Sequence, residues 1–472
     1  MHHTHTIALL LLLGKSELTA LWKFLNSPFF TAKKYLPDLF LELRDPKTWQ
    51  GQSPQDIFAR VFAPEPFDDH KWNKALSDLN ICIREFLAVQ QLFDDPGLRI
   101  RADMKAFFER PDERFFQQAA KPALRNLSAN GTQETTDDWQ LRFQAQKLAA
   151  SYPLADRMRG TGDLLQDLDD SIDHYYFISK LQLACNRASS AHILQLEADQ
   201  EKFRKLLDQT EALATAGKSA LLSIYRPLLY LLAIPGAAFD PFFVLLKDQG
   251  ARLERSELES VVRFALNYCI QRYAAGETAA FDWYLRVFGW AEQRKVWLKA
   301  ANVADFFLND GVMFAKSRDA EGFESFLEKC RAVLPAGRKN IVVTLLRAYW
   351  HFYQAEFQVA SVLLQQLNSR HPHYSLRFHS LKVRNTYEEW RLQKVTLDEL
   401  ERALRSFNNF LKRDRLFSKP KRQSYLDLIW FIRKMAQAPK TRAEAQTQLR
   451  VELKKRQPAA RDWVAAKIDE LP

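Results

Sequence analysis

Glycine is scarce in this sequence, 14 of 472 residues, about 3% where roughly 7% is usual. Folds built on many tight turns, and the glycine-rich loops that cradle phosphate, are therefore disfavoured. Cysteine is rarer still. Cys82, Cys185, Cys269 and Cys330 lie far apart in apolar surroundings, with no Cys-x-x-Cys pair among them. That spacing argues against a disulfide framework or a thiolate zinc site and leaves four buried small hydrophobes. β-Branched residues are few: 18 Val and 15 Ile stand against 66 Leu, a bias toward side chains that lose little freedom in a helix. No run alternates with period two, so no β-strand is predicted.

Long uninterrupted hydrophobic runs are missing too. The stretch 220–239 has transmembrane length but carries Arg226, Pro227, Pro235 and Gly236. Two core helices joined at Pro235-Gly236 are predicted in place of a span. A shorter run, Ile7 to Leu13, has a His-rich flank without Lys or Arg and no small-x-small site after it. It reads as a first core helix and not as a signal segment. The expectations are no membrane association and a cytoplasmic location.

What is present is helical, basic and compatible with a folded soluble chain: 47% hydrophobic and 26% charged residues, with a net charge of +11. At this length a single core is outgrown, so two or three domains or an extended helical array are expected. The fold class is all-α. Helix signals are sharp near the start. Leu18, Leu21, Trp22 and Leu25 make an apolar stripe over Glu17 to Leu25, stopped by Ser27-Pro28. Ser53-Pro54-Gln55-Asp56 supplies a cap, a first-turn proline and an acid. Asp68-Asp69 opens a long helix with the stripe Trp72, Leu76, Leu79, Ile83, Phe86, Leu87, ending at Asp94-Asp95-Pro96-Gly97. Residues 98–160 are less regular, and the polar stretch Asn126 to Asp138 reads as a linker or loop. Farther on, Ser256 with Glu259, Thr396 with Glu399 and Thr441 with Glu444 have the spacing of capping boxes. The predicted organisation is a helical N-terminal domain over 1–150, a helical array over 151–415 and basic helices over 416–472.

Repetition is the most informative pattern. Gly311, Phe314, Leu327 and Pro335, shifted by 37 positions, land on Ala348, His351, Leu364 and Pro372. Ala360 follows twelve residues after Ala348. Two small residues let helices cross closely, an intervening bulky residue fills the gap, and stacked neighbours bury the face one pair leaves open. In this the segment 304–372 resembles the tetratricopeptide repeat family, with a third unit continuing over Tyr374 to Trp390 and Leu397 to Leu411. Thr344 stands where that family usually has Trp, Phe323 occupies a second small position, and the step is three residues longer than the family's. The resemblance implies an α-α superhelix that binds a protein or peptide. A second resemblance rests on Phe24-Leu25-Asn26-Ser27-Pro28-Phe29-Phe30, Ile57-Phe58, Phe67-Asp68-Asp69 and the segment around Trp463. These look like an uncharacterised family of helical bacterial proteins with a Phe-Leu-x-Ser-Pro-aromatic-Phe signature, which implies a helical fold and no particular chemistry.

Candidate chemistry is thin. Gly14-Lys15-Ser16 has the end of a phosphate loop, but the glycine required five positions earlier is Leu9, and Ser16 reads as a helix cap. Asp169, Asp170 and Asp173 have the spacing of a magnesium-binding acidic motif with no second motif to complete it, and read as acids near a helix start. His371, His373 and His379 flank Pro372 and read as a solvated turn. No nucleophile and base can be paired. No cofactor or metal and no enzymatic activity are expected. Charge is distributed unevenly: residues 373–472 hold 23 basic and 12 acidic residues, the first 372 hold 45 of each. The densest basic cluster is Lys412, Arg413, Arg415, Lys419, Lys421 and Arg422, interleaved with Phe417, a pattern able to contact polyanions. The leading expectation is a non-catalytic scaffold or adaptor with a protein or peptide partner. The alternative is nucleic-acid binding through that cluster, with the helices from Ile57 and His70 as a helix-turn-helix unit.

Overall fold

The computed structural model describes residues 5–49, 51–110, 112–124, 133–152, 161–194, 200–274, 277–296, 303–317, 319–334, 336–367, 372–413, 417–437 and 442–471. They form α-helices throughout and no strand; an isolated parallel bridge joins Glu134 to Leu253. Packing divides the chain into two units, one of Met1–Arg125 and Gln140–Ser171, the other of Asn126–Trp139 and Ile172–Pro472. Residues 416–472 group with the second unit.

The first helices are α1 (His5–Leu12), α2 (Lys15–Leu25), α3 (Tyr35–Leu43), α4 (Pro46–Trp49), α5 (Pro54–Phe62), α6 (Asp69–Asp94), α7 (Pro96–Phe108) and α8 (Glu113–Ala120), followed by α9 (Thr136–Ala150) and α10 (Thr161–Leu194). The first unit has one core around Leu21, Phe40, Ile57, Phe58 and Ile83 and a smaller one around Met104, Phe116 and Tyr152. Local chemistry sets the helix starts. Ser53 and Asp56 cap α5 reciprocally, and Asp68 accepts from the amides of His70 and Lys71 at 2.8 and 3.1 Å. The Gly14-Lys15-Ser16 segment behaves otherwise than expected. Helix α2 begins at Lys15, and the Glu17 carboxylate returns to the Gly14 N–H at 2.7 Å, so Ser16 is not the cap. The element before it is a helix and not the strand a phosphate loop requires.

The second unit continues with α11 (Gln200–Thr215), α12 (Ala220–Ala233), α13 (Phe239–Gln249), α14 (Arg255–Ala274), α15 (Ala279–Gln293), α16 (Val303–Ser317), α17 (Ala320–Val333), α18 (Ala336–Tyr353), α19 (Phe357–Gln366), α20 (Pro372–Arg391), α21 (Leu397–Arg413), α22 (Lys419–Ala436), α23 (Arg442–Lys455) and α24 (Arg461–Asp469). The turn between α12 and α13 contains Pro235 and Gly236, the latter at φ +79° where glycine carries no Cβ penalty. No helix among the described residues is long and apolar enough to cross a membrane. All four cysteines are free and buried.

From α16 to α22 successive helices pack as neighbours, α16, α18, α20 and α22 also lie side by side, and α24 packs on α22 and α23. The repeated small positions sit at these crossings. A Cβ on Gly311 of α16 would run into both methyls of Leu346 on α18, and Ala348 and Ala360 are fully buried. Phe323, the departure from the small-residue pattern, stacks on Trp350 with ring centroids 4.6 Å apart. Thr396 and Glu399 form the expected capping box before α21. Ser256 does not cap α14: the helix starts one residue before it, and the Ser256 amide donates to the Glu254 carboxylate at 2.6 Å. Thr441 and Pro335 lie outside the described residues.

The polar stretch read as a linker is in part an anchor. Residues 126–132 lie outside the described residues, but Glu134 is buried. Its carboxylate accepts from the Trp139 indole at 2.7 Å, from the Ser219 hydroxyl, and from the Ala220 amide at 2.7 Å. Its backbone pairs with Arg252 and Glu254 at 2.7 and 3.0 Å. A carboxylate is well suited to the orphan amides at the start of α12.

Candidate functional site

A helix with neighbours on both sides of an array normally buries apolar groups. α20 instead buries Ser375, His379, Ser380, Arg384, Asn385, Glu388 and Glu389 among its apolar residues. Buried polar groups are costly unless partnered, and buried charges more so. The partners divide by side. Asn385 donates to the Phe357 carbonyl at 2.9 Å and Glu389 lies beside Ser361, both on α19. His379 is enclosed by Phe407 and Phe410 of α21, 5.3 and 4.7 Å between ring centroids. Burial, helped by nearby Lys382, pushes its imidazole down to about 4. This corrects the reading of His379 as part of a solvated turn; His371 lies outside the described residues.

Arg384 and Glu388 of α20 meet α24. Asp462, in its first turn, pairs with Lys316 of α16 at 2.5 Å. Trp463 donates its indole N–H to Glu388 at 3.0 Å and meets the Tyr387 ring edge-on at 5.6 Å and 84°. Lys467 pairs with Glu388 at 2.9 Å, and Arg391 reaches Glu470 at 2.6 Å. Arg384 lies in an aromatic enclosure, its guanidinium 5.2 Å from Phe352, 5.9 Å from Tyr349 and 6.0 Å from Trp463. Lys316 sits 5.8 Å from the rings of both Tyr273 and Tyr353.

The electrostatics match this geometry. Burial works against the charge on Lys316, yet Tyr353 and Asp462 hold its ammonium above the ordinary lysine range. Burial likewise opposes the charge on Arg384, and Tyr353, Tyr349 and Asp462 reverse that effect. Asp462 is pulled the other way: burial would raise its carboxyl, but Lys316 and then Arg384 hold it low. One carboxylate on α24 thus faces the half-buried Lys316 and the buried Arg384, and one indole lies against both Arg384 and Tyr387. On this face an acid and the aromatic that follows it on α24 meet groups of α16 and α20.

The sequence-predicted cluster lies elsewhere. Lys412 and Arg413 end α21, while Lys419, Lys421 and Arg422 fall in the first turn of α22. The two termini are consecutive in the chain, and Arg415 lies outside the described residues. Lys421 stands 5.7 Å over the Phe417 ring. Asp169, Asp170 and Asp173 lie along α10, and no group of three or more acidic, His or Cys side chains suited to a metal occurs among the described residues. The long helix α6 turns its apolar stripe inward, and Lys71 pairs with Glu65. Sequence reasoning missed the α20 face. Its one local signal is Ser380, Arg384 and Glu388 at i, i+4, i+8, which places them on one side of a helix. Such a stripe ordinarily marks a solvated face. Compared with protein-family models, curated proteins and solved structures, the chain matches none.

Proposed function

We propose that this chain is a non-catalytic interaction protein. In this reading α16 to α22 form a tetratricopeptide-like superhelix, and the face of α16, α18, α20 and α22 takes a segment of polypeptide. The observation that carries the reading is the nature of the buried groups on that face. Lys316, Arg384 and Glu388 are costly in a core, and the charges and indole of a helix laid against them add to the compensation they draw from the rings of Tyr349, Phe352 and Tyr353 and from Arg391. The test is affinity purification of the native chain from its own cell, followed by rebinding with purified components, beside the variant Arg384→Ala. A protein that rebinds the native chain and is weakened at least tenfold by Arg384→Ala is expected. Reproducible absence of such a protein overturns the reading.

A second reading, binding of nucleic acid or another polyanion, is favoured by one observation. Lys419, Lys421 and Arg422 occupy the positively polarised start of α22, whose first turn contains no acid. An arriving phosphate would relieve repulsion among them, with an affinity that falls as salt rises.

A further inference from the structure

The face assigned to a polypeptide already holds one, and we infer that α24 is an intramolecular latch which a partner must displace with a helix of the same acid–aromatic pattern. This rests on the interaction reading above. Two features bear on how α24 is held in place. It has nine residues, too few to be helical alone, so its helicity depends on what it lies against. Its start carries strain: Ala460, a residue with a Cβ, takes the left-handed conformation at φ +55°.

It packs against α22 and α23, and ion pairs tie it to two further helices. Asp462 to Lys316, Lys467 to Glu388 and Glu470 to Arg391 link α24 to α16 and α20, while Trp463, Val464 and Ile468 supply the deeply buried apolar groups. Charge pairs of this kind add less stability than apolar groups of equal volume would. What they add is selectivity, because a competing segment without a carboxylate would leave Lys316 and Arg384 facing each other uncompensated. The partner is therefore specified chemically. It presents an Asp or Glu followed by Trp or another large aromatic, on a helix that carries a second acid about two turns later, where Glu470 now meets Arg391.

The test uses the full chain and a fluorescent synthetic peptide with the sequence of residues 459–471. The native chain should bind it weakly, because α24 holds the face. A chain carrying Asp462→Asn and Trp463→Ala should bind it at least tenfold tighter, and adding Lys316→Ala should reverse the gain. A folded substituted chain that ignores the peptide, or binds it whether or not Lys316 is present, overturns the latch. Native-state hydrogen exchange on the unaltered chain gives a measure independent of whether the substituted chain folds. The amides of α24 should exchange through a local opening at least tenfold more often than those of α20. Equal protection of the two helices makes α24 a permanent part of the core and sinks the proposal. A protein partner that binds the native and substituted chains equally would leave the interaction reading standing while removing the latch.

Discussion

Asp310 is a carboxyl with little to stabilise a charge. It is buried on α16 beside the Tyr284 hydroxyl, and burial pushes it up to about 7, whereas an unfolded chain ionises it near 3.9. The sign follows from that order. Below about pH 4 both states hold the proton and the full stability is present; as pH rises toward 7 only the unfolded state ionises, and stability is lost. Asp310→Asn, which cannot ionise, should therefore be more stable than the native chain at pH 8, on the order of 2 kcal/mol, with the advantage vanishing near pH 4. Urea denaturation at the two pH values reads this, and an equal difference at both would refute it. The next residue makes a purely steric argument. Gly311→Ala places a Cβ against Leu346 and Phe326, so a loss of roughly 1–3 kcal/mol is expected from overpacking the crossing of α16 and α18. A neutral result would show that Leu346 can change rotamer.

Among the elements, α12 is capped at its start by the adjacent Ser219 and also by a residue far away in the chain. Glu134→Ala would leave the Trp139 indole and the Ala220 amide without their shared acceptor, a cost of roughly 2 kcal/mol. Thermal unfolding should report the loss, and faster hydrogen exchange at Ala220 should localise it; slow exchange there would mean another acceptor takes over. The same case explains what could be read in advance. Ser53, Asp68 and Thr396 announce their helices because cap and amide are two or three residues apart, so the chemistry is written locally. Glu134 meets Ser219 across 85 positions, and nothing in its neighbourhood distinguishes it from a loop acid. His379 was misplaced for the same reason, since its enclosing rings belong to α21. The α20 face was hidden differently. Arg384 and Glu388 have the spacing of a wet helix surface, and the rings of α18 together with the return of α24, with Asp462 and Trp463, turn that surface inward.

Over the whole molecule, the excess of positive charge in residues 373–472 changes meaning once its partners are known. Arg391, Arg433, Arg450, Lys455, Arg456 and Lys467 are engaged in ion pairs within the fold, and Arg384 is enclosed by rings. Lys412, Arg413, Lys419 and Lys421 remain exposed and make no ion pair with any described residue. If a polyanion is held anywhere by charge, these four are the groups that release its counterions. Filter binding of single-stranded RNA across a salt series gives the slope of log K against log salt, which is about −0.7 per phosphate contacted. Reversing all four to Glu should lower the magnitude of that slope by about 3 and abolish retention at moderate salt. Retention that survives the reversal, or none by the native chain, would show that this cluster is only a solvated surface. The latch substitutions Asp462→Asn and Trp463→Ala should leave the slope unchanged, because Lys316 and Arg384 stay enclosed by the rings of Tyr273, Tyr349, Phe352 and Tyr353. A slope that steepened with the latch open would join the two sites and make RNA a competitor for the face that α24 now fills.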